Sequence, residues 1–243
     1  MDYKMIAAYI VAALVAGFVH GSLGMGFGMI AMATALLFIP YNNAAAVVSL
    51  ALLVLCCEMS FSLRQYINFK ETIPPAIALT VGKIIGIVLM MNLRSNILRI
   101  ALGLFLIIYS LSQLLNIKAM KIKGTPLQGL IFCGLGGLFG GVFNVSGPAA
   151  AIYCQAKYGN DPKSYAANMN FIFVPSAVIA PLMHLYYGNF NASALIGSAA
   201  MVLAVLAATQ LGVAVLKKIK SEDMRKISYI YIIIMGALIC ISG

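Results

Sequence analysis

Two glycine-rich stretches carry the residue types best suited to hold a small anion. The second runs from Asn144 to Pro148, and we interpret it as a helix start with Ser146 as N-cap and the proline in the first turn. A helix N-terminus presents unpaired N–H groups and about half a positive charge, which attract anions. The first stretch, Ser22 to Gly28, has glycines that let a ligand approach the backbone. The candidate ligands are Ser22, Gly24, Gly26, Gly28, Asn144, Ser146 and Gly147.

Polar side chains inside apolar runs form a second group of candidates. Asn168 and Asn170 lie within one such run, where an amide either donates to an anion or bonds a neighbouring helix, and both interpretations stay open. Lys83 lies in the middle of another run, where a charge is costly unless it faces a cavity or is paired. We therefore expect Lys83 either to help bind an anion or to form a structural pair with Glu58.

The elements that position these residues must be membrane helices. Of 243 residues, 63% are hydrophobic and only 9% are charged, whereas soluble domains carry about 25% charged residues. This composition excludes a soluble enzyme, a disordered protein and a disulfide scaffold, and we expect the five cysteines to be buried free thiols. The net charge of +10 does not indicate nucleic-acid binding, because the lysines and arginines lie in short loops between apolar runs. We predict an all-α polytopic protein that contacts lipid.

Reading the apolar runs gives ten predicted segments, two of which are too short to cross a bilayer comfortably. Each short segment follows a glycine-rich break, at 21–28 and at 140–148. The predicted segments are 5–20, 28–39, 44–63, 72–92, 97–116, 126–140, 148–157, 163–186, 192–216 and 226–242.

The two breaks occupy matching places in the two halves of the chain, which indicates an internal repeat. At an offset of 119 residues, Gly21 aligns with Gly140 and Gly28 with Gly147. We therefore predict two repeats, 1–118 and 119–243, each with one broken helix pair. Because five segments is an odd number, the repeats should be inverted in the membrane, with the breaks meeting near its midplane.

The distribution of positive charge supports this arrangement and predicts an orientation. Twelve of the 16 lysines and arginines fall in four loops that the ten-segment arrangement places on one face, and three fall on the other. Because positive loops face the cytoplasm, both termini are expected outside. The compact form favours a prokaryotic inner membrane. The four loops are 64–71, 117–125, 157–163 and 217–226.

The sequence resembles the TauE/SafE family of sulfite exporters, also called TSUP, over nearly its whole length. The resemblance depends on the glycine-rich stretches GFVHGSLGMGFGMI at 17–30 and GGLFGGVFNVSGPAAAIY at 136–153. It also depends on a charged turn before the last helix of each repeat, Leu93–Arg99 and Ile219–Lys226. The first copy lacks the run of three glycines typical of the family, and Asn144 and Ser146 replace glycines in the second. The resemblance implies transport of sulfite, sulfoacetate or other sulfonates.

We therefore expect a secondary transporter, not an enzyme, that works by alternating access of the two repeats. The sequence has no ATP-binding motif, so uphill transport must use an ion gradient, and we expect neither a cofactor nor a metal. Glu58 and His20 are the candidate proton carriers, although a structural role is the alternative for His20. Sodium coupling is also open, because unwound carbonyl groups coordinate sodium. The alternatives are an anion channel, an assembly protein, and a rhomboid-like serine protease using Ser146 and His184.

Overall fold

The computed structural model describes residues 3–115, 122–215 and 221–242, which fold into ten α-helices and one short 3-10 turn, Arg64–Tyr66. Each predicted apolar segment corresponds to one helix, and the two predicted short segments are the two shortest helices. The all-helical class is therefore confirmed for the described residues. The helices are α1 (Tyr3–Leu23), α2 (Phe27–Ala35), α3 (Tyr41–Ser62), α4 (Phe69–Met91), α5 (Ser95–Leu114), α6 (Pro126–Phe143), α7 (Gly147–Tyr158), α8 (Pro162–Tyr186), α9 (Ala192–Val215) and α10 (Ser221–Ser242).

Six helices of the described chain, α3, α4, α5, α6, α8 and α9, are long and apolar enough to cross a membrane. α1 contributes a shorter apolar stretch, Tyr9–Leu23. Large apolar side chains are exposed along these helices, for example Ile77, Ile108 and Leu203. Apolar exposure on this scale marks a surface that meets lipid rather than water.

Each short helix folds back along the helix before it and forms a hairpin with it. In the hairpin of α6 and α7, Gly129 packs against Tyr153, and Gly124, just before α6, contacts Lys157 near the end of α7. α7 therefore returns to the side from which α6 starts. α2 packs against α1 in the corresponding way.

The first five helices pack against the last five through crossed pairs. α1 lies against α9 and α6 lies against α4, while α3 packs on α8 and α5 packs on α10. Glycines of facing helices come into close contact in two of these pairs. Gly21 meets Gly212 between α1 and α9, and Gly86 meets Gly141 between α4 and α6. A side chain at any of these positions would press on the facing backbone, so small residues set the distance between the helices.

Polar residues define the starts of three neighbouring helices. Asn68 caps α4, and Thr125 caps α6 in a capping box with Gln128. Asp161 caps α8 and accepts hydrogen bonds from the hydroxyl and N–H groups of Ser164. These bonds hold the pKa of the Asp161 carboxyl below its usual range.

One helix boundary differs from the prediction in a way that matters for the site. α10 begins at Ser221 rather than at 226, so Arg225 is a helix residue and not a loop residue. The predicted boundary between the repeats at 118–119 lies outside the described residues. The same holds for the lysines at positions 118, 121, 217, 218 and 220.

Candidate functional site

The first hairpin turns at Gly24–Gly26, which we call the first tip. Gly24 and Gly26 have φ angles of +74° and +109°, conformations that residues with a side chain rarely adopt. Gly26 is the N-cap residue of α2. The hydroxyl of Ser22 donates to two carbonyl groups of its own helix, so its proton is not free for a ligand.

The second hairpin turns at Asn144–Ser146, which we call the second tip. Asn144 has a φ of +57°, and its amide nitrogen donates to the carbonyl oxygen of Ala45 on α3 at 2.8 Å. Ser146 occupies the N-cap position of α7 as expected, but its side chain makes no capping bond. The predicted capping role of its hydroxyl is wrong, because the hairpin packs that hydroxyl against Gly140 of α6.

The two tips contact each other inside the molecule. A Cβ atom at Gly28 would overlap the carbonyl oxygen of Asn144, and one at Gly147 would lie 3.8 Å from the methyl carbon of Met25. Residues of both tips, with His20, line a cavity of about 20 Å³. That volume has room for roughly one water molecule. The cavity is therefore smaller than a sulfur oxyanion.

Both helix starts at this cavity have unpaired N–H groups. Within the described residues, the N–H groups of Gly28, Met29 and Gly147 have no hydrogen-bond acceptor. The N–H of Phe27 donates to Nδ1 of His20 at 3.4 Å. Two helix N-termini that meet at one cavity concentrate positive potential there, which suits a small anion.

His20 connects the first tip to α8 through Asn170. Nε2 of His20 lies 3.0 Å from Oδ1 of Asn170, whose amide nitrogen donates to the carbonyl of Ala166. Because Nδ1 accepts from Phe27, this pattern assigns the ring proton to Nε2 and makes His20 neutral. Asn170 lies behind His20 and does not line the cavity.

Asn168 lies at a different place from the tips. Its Oδ1 accepts from the N–H of Asn68 at 2.7 Å, and its Nδ2 donates to the carbonyls of Tyr66 and Ser164. These bonds fasten the loop before α4 to α8. Of the two interpretations left open by the sequence, the structure favours the bond between helices.

Lys83 and Glu58 do not form the ion pair that was one of the two alternatives for Lys83. Lys83 is buried near Cys56 and His184, between α3, α4 and α8, and it does not line the cavity at the tips. The carboxylate of Glu58 accepts instead from the amide of Gln210 on α9. The pairing prediction is wrong because Glu58 and Cys56, two positions apart in the chain, point to different faces of α3.

The serine protease alternative required Ser146 and His184 to form a dyad. Nδ1 of His184 accepts a hydrogen bond from the amide of Asn189 at 2.9 Å. Ser146 packs against Gly140. The two candidate residues therefore have other partners, and the geometry does not support a nucleophile activated by histidine.

A larger cavity beside the second tip was missed by the sequence analysis. It has a volume of about 570 Å³, and its polar lining includes Arg225, Gln155 and Tyr165. The Tyr165 hydroxyl contacts Sδ of Met25, in the first tip, at 3.3 Å. The sequence analysis placed Arg225 in the predicted loop 217–226, which hid its importance for a site.

Comparison with known proteins agrees with the resemblance noted in the sequence. The sequence profile of the family described as sulfite exporter TauE/SafE matches residues 9–239. The chain belongs to the TauE/SafE family. A TauE/SafE relative, the probable sulfite/organosulfonate exporter TauE of Cupriavidus necator, is 27% identical over 222 residues, which cover 88% of this chain and 85% of that protein. No solved structure matches the chain.

Membership of the TauE/SafE family confirms the coarser expectations. The protein is an integral membrane transporter for a small anion, and it is not an enzyme.

Proposed function

We propose that this TauE/SafE protein is a secondary transporter that binds a small sulfur oxyanion, sulfite or an organosulfonate, between the two hairpin tips. The observation that carries the proposal is the cavity where the tips meet, bordered by the unpaired N–H groups of Gly28, Met29 and Gly147. The oxygens of a sulfite or sulfonate group accept hydrogen bonds from such donors. The name of the Cupriavidus relative supports the substrate class.

The transport cycle that we propose is alternating access of two inverted repeats, 1–118 and 119–243. The crossed packing of α1 with α9 and of α6 with α4 supports it, because a two-fold relation between the repeats exchanges these pairs. The small cavity then corresponds to a closed state. The lysine-rich loops support an orientation with both termini outside a prokaryotic inner membrane.

The inverted orientation can be tested with single cysteines at two charged surface positions. Arg94→Cys and Lys163→Cys would be made after replacement of the native cysteines, and intact cells would be treated with a maleimide that does not cross membranes. We expect Arg94→Cys to react and Lys163→Cys to react only after the cells are opened. The reverse pattern would contradict the orientation, and equal labelling of both sites in intact cells would contradict the inversion.

His20 is the proton carrier that we propose, in preference to Glu58. Nδ1 of His20 accepts the N–H of Phe27 at the first tip, whereas Glu58 bonds Gln210 on α9. A proton on Nδ1 would turn this acceptor into a donor, so the Phe27 N–H would be released to an anion. Flux driven by a pH gradient, and lost in His20→Gln, would support this role. Flux that follows a sodium gradient would support the alternative.

Anion binding at the tips can be tested by ligand-dependent thermal stabilisation of the purified protein. The panel is sulfite, thiosulfate, sulfoacetate, taurine, sulfate, acetate and phosphate. A ligand at 100 times its dissociation constant stabilises the folded state by about 2.7 kcal/mol. Gly147→Val should fill the cavity, since Gly147 lines it and a Cβ there meets only the methyl carbon of Met25 at 3.8 Å. Gly134→Val is the matched control, because a Cβ at Gly134 also meets no atom closer than 3.8 Å.

We expect sulfite to stabilise the parent and Gly134→Val but not Gly147→Val. Equal stabilisation of all three proteins would place the anion elsewhere. Exchange of labelled substrate in liposomes then separates a transporter from a channel, because substrate on the far side accelerates uptake only through a carrier that alternates.

A further inference from the structure

The large cavity beside the second tip has a definite place along the proposed route. At one end it is lined by Gln113, Gln155, Tyr165 and Arg225, which lie near the ends of α5 and α7 and the starts of α8 and α10. Its lining also includes Met25 of the first tip and Val145 of the second tip. The cavity therefore connects one end of the helix bundle with the candidate anion site.

The lining of this cavity combines one guanidinium group with an aromatic cluster. Phe105 stacks on Phe139 with ring centroids 5.3 Å apart and on Tyr109 at 6.1 Å. Tyr109 meets Tyr229 edge to face at 6.0 Å. The rings offer apolar faces and the phenols offer donors, while Arg225 offers a fixed charge with several donors in one plane.

Arg225 also borders a gap of about 20 Å³ beside Gly26 and Met29, so it lies close to the first tip. The acidic side chains that the structure describes are engaged elsewhere. The pairs are Glu58 with Gln210, Glu71 with Lys157 and Asp161 with Ser164. A guanidinium group beside an aromatic cavity is suited to an organic anion.

We propose that this cavity is a second substrate site, a vestibule in which Arg225 binds the head of an organic sulfonate and the aromatic cluster contacts its carbon chain. The proposal rests on the proposed function and narrows the substrate from any sulfur oxyanion to one with an apolar part. The volume of about 570 Å³ far exceeds that of bare sulfite and lies in the range of roughly 300–1,000 Å³ typical of small-molecule pockets. Bare sulfite has no carbon chain for the rings to contact.

The test measures binding of sulfite, methanesulfonate, propanesulfonate and benzenesulfonate by calorimetry in a non-ionic detergent. The variants are Arg225→Gln and Arg225→Lys, with Arg64→Gln as the matched control. Arg64 carries the same charge, lies over the Phe61 ring at 5.0 Å and does not line the cavity. We expect Arg225→Gln to weaken propanesulfonate binding by about tenfold or more, the loss typical of a hydrogen bond to a charged group.

Arg225→Lys should retain part of the affinity, because lysine keeps the charge but not the planar pair of donors. Arg64→Gln should bind like the parent. Phe139→Ala should weaken benzenesulfonate more than methanesulfonate, because only the former reaches the rings. Equal binding by Arg225→Gln and Arg64→Gln would overturn the proposal.

The Gly147→Val variant distinguishes the proposed vestibule site from the proposed anion site at the tips. If Gly147→Val loses flux but keeps sulfonate binding that depends on Arg225, the vestibule is a separate site. Loss of all binding in Gly147→Val would leave one site at the tips and overturn the vestibule. Absence of binding by any anion to the parent would reject both proposals. Binding of phosphatidylglycerol that depends on Arg225, without binding of a sulfonate, would assign the cavity to lipid and also overturn the proposal.

Discussion

The first and second tips make the same helix-to-helix turn with different residues. Each must turn a helix back on itself inside the protein and leave the next helix start free. The first tip uses the conformational freedom of Gly24 and Gly26, whose positive φ angles disfavour a side chain. The second tip has Asn144 at its positive-φ position and fixes it with a hydrogen bond to Ala45.

This difference shows that the number of glycines in a stretch does not by itself predict where a helix turns back inside the protein. At the first tip the backbone alone allows the turn, and His20 then holds the first N–H of α2 through Phe27. At the second tip the Asn144 side chain fixes the turn through its bond to Ala45, and the same residue also lines the cavity. The four predictions below test this difference between the tips.

The largest effect is expected where the two tips touch. Gly28→Ala would place a methyl group into the carbonyl oxygen of Asn144, a backbone atom that cannot move without displacing the second tip. We expect a loss of about 3 kcal/mol or more, at the upper end of overpacking effects. Thermal unfolding in detergent measures this loss. Gly147→Ala, where a Cβ meets only the end of Met25 at 3.8 Å, is the control that should behave like the parent.

Asn144→Ala should have the next largest effect. It removes the bond to Ala45 and puts alanine at a φ of +57°. The lost hydrogen bond costs about 1 kcal/mol and the left-handed conformation about 1 kcal/mol more. Asn144→Gly should lose only the first contribution. Equal losses in the two variants would show that the backbone conformation does not strain the second tip.

Gly26→Ala should cost about 1–3 kcal/mol, the usual range for strained backbone. A Cβ there has space, since its nearest neighbour is Val19 at 3.7 Å, so the cost comes from the φ of +109° alone. Chemical unfolding of the variant and parent gives the difference. A stability equal to that of the parent would mean that the first tip does not depend on glycine.

The smallest effect is expected for Ser146→Ala, because the Ser146 hydroxyl caps nothing. Its cost should fall below the approximately 1 kcal/mol typical of a lost N-cap. Thr125→Ala is the informative partner, since Thr125 accepts from Gln128 in a capping box and should show the full loss. If Ser146→Ala lost more stability than Thr125→Ala in the same unfolding assay, the Ser146 hydroxyl would have to cap α7 after all.

The sequence by itself determined the class of the protein and the position of its helices. A chain with 63% hydrophobic residues and 9% charged residues has no stable fold except one that meets lipid. The order of long and short apolar runs defined ten helices, because the length of a run sets whether it can cross the bilayer. The glycine-rich breaks located both tips, since a turn at membrane depth needs small residues.

Only the tertiary structure decided what each polar residue contacts. Asn168 and Lys83 looked like ligands because a polar group in an apolar run needs a partner, but the sequence does not say on which helix that partner lies. Packing placed the partners of Asn168 in the loop before α4 and buried Lys83 away from the tips. Arg225, which the sequence analysis assigned to a loop, lies in α10 and lines a cavity. The physical reason is that contacts between helices depend on faces and angles fixed by the whole bundle, not by the local sequence.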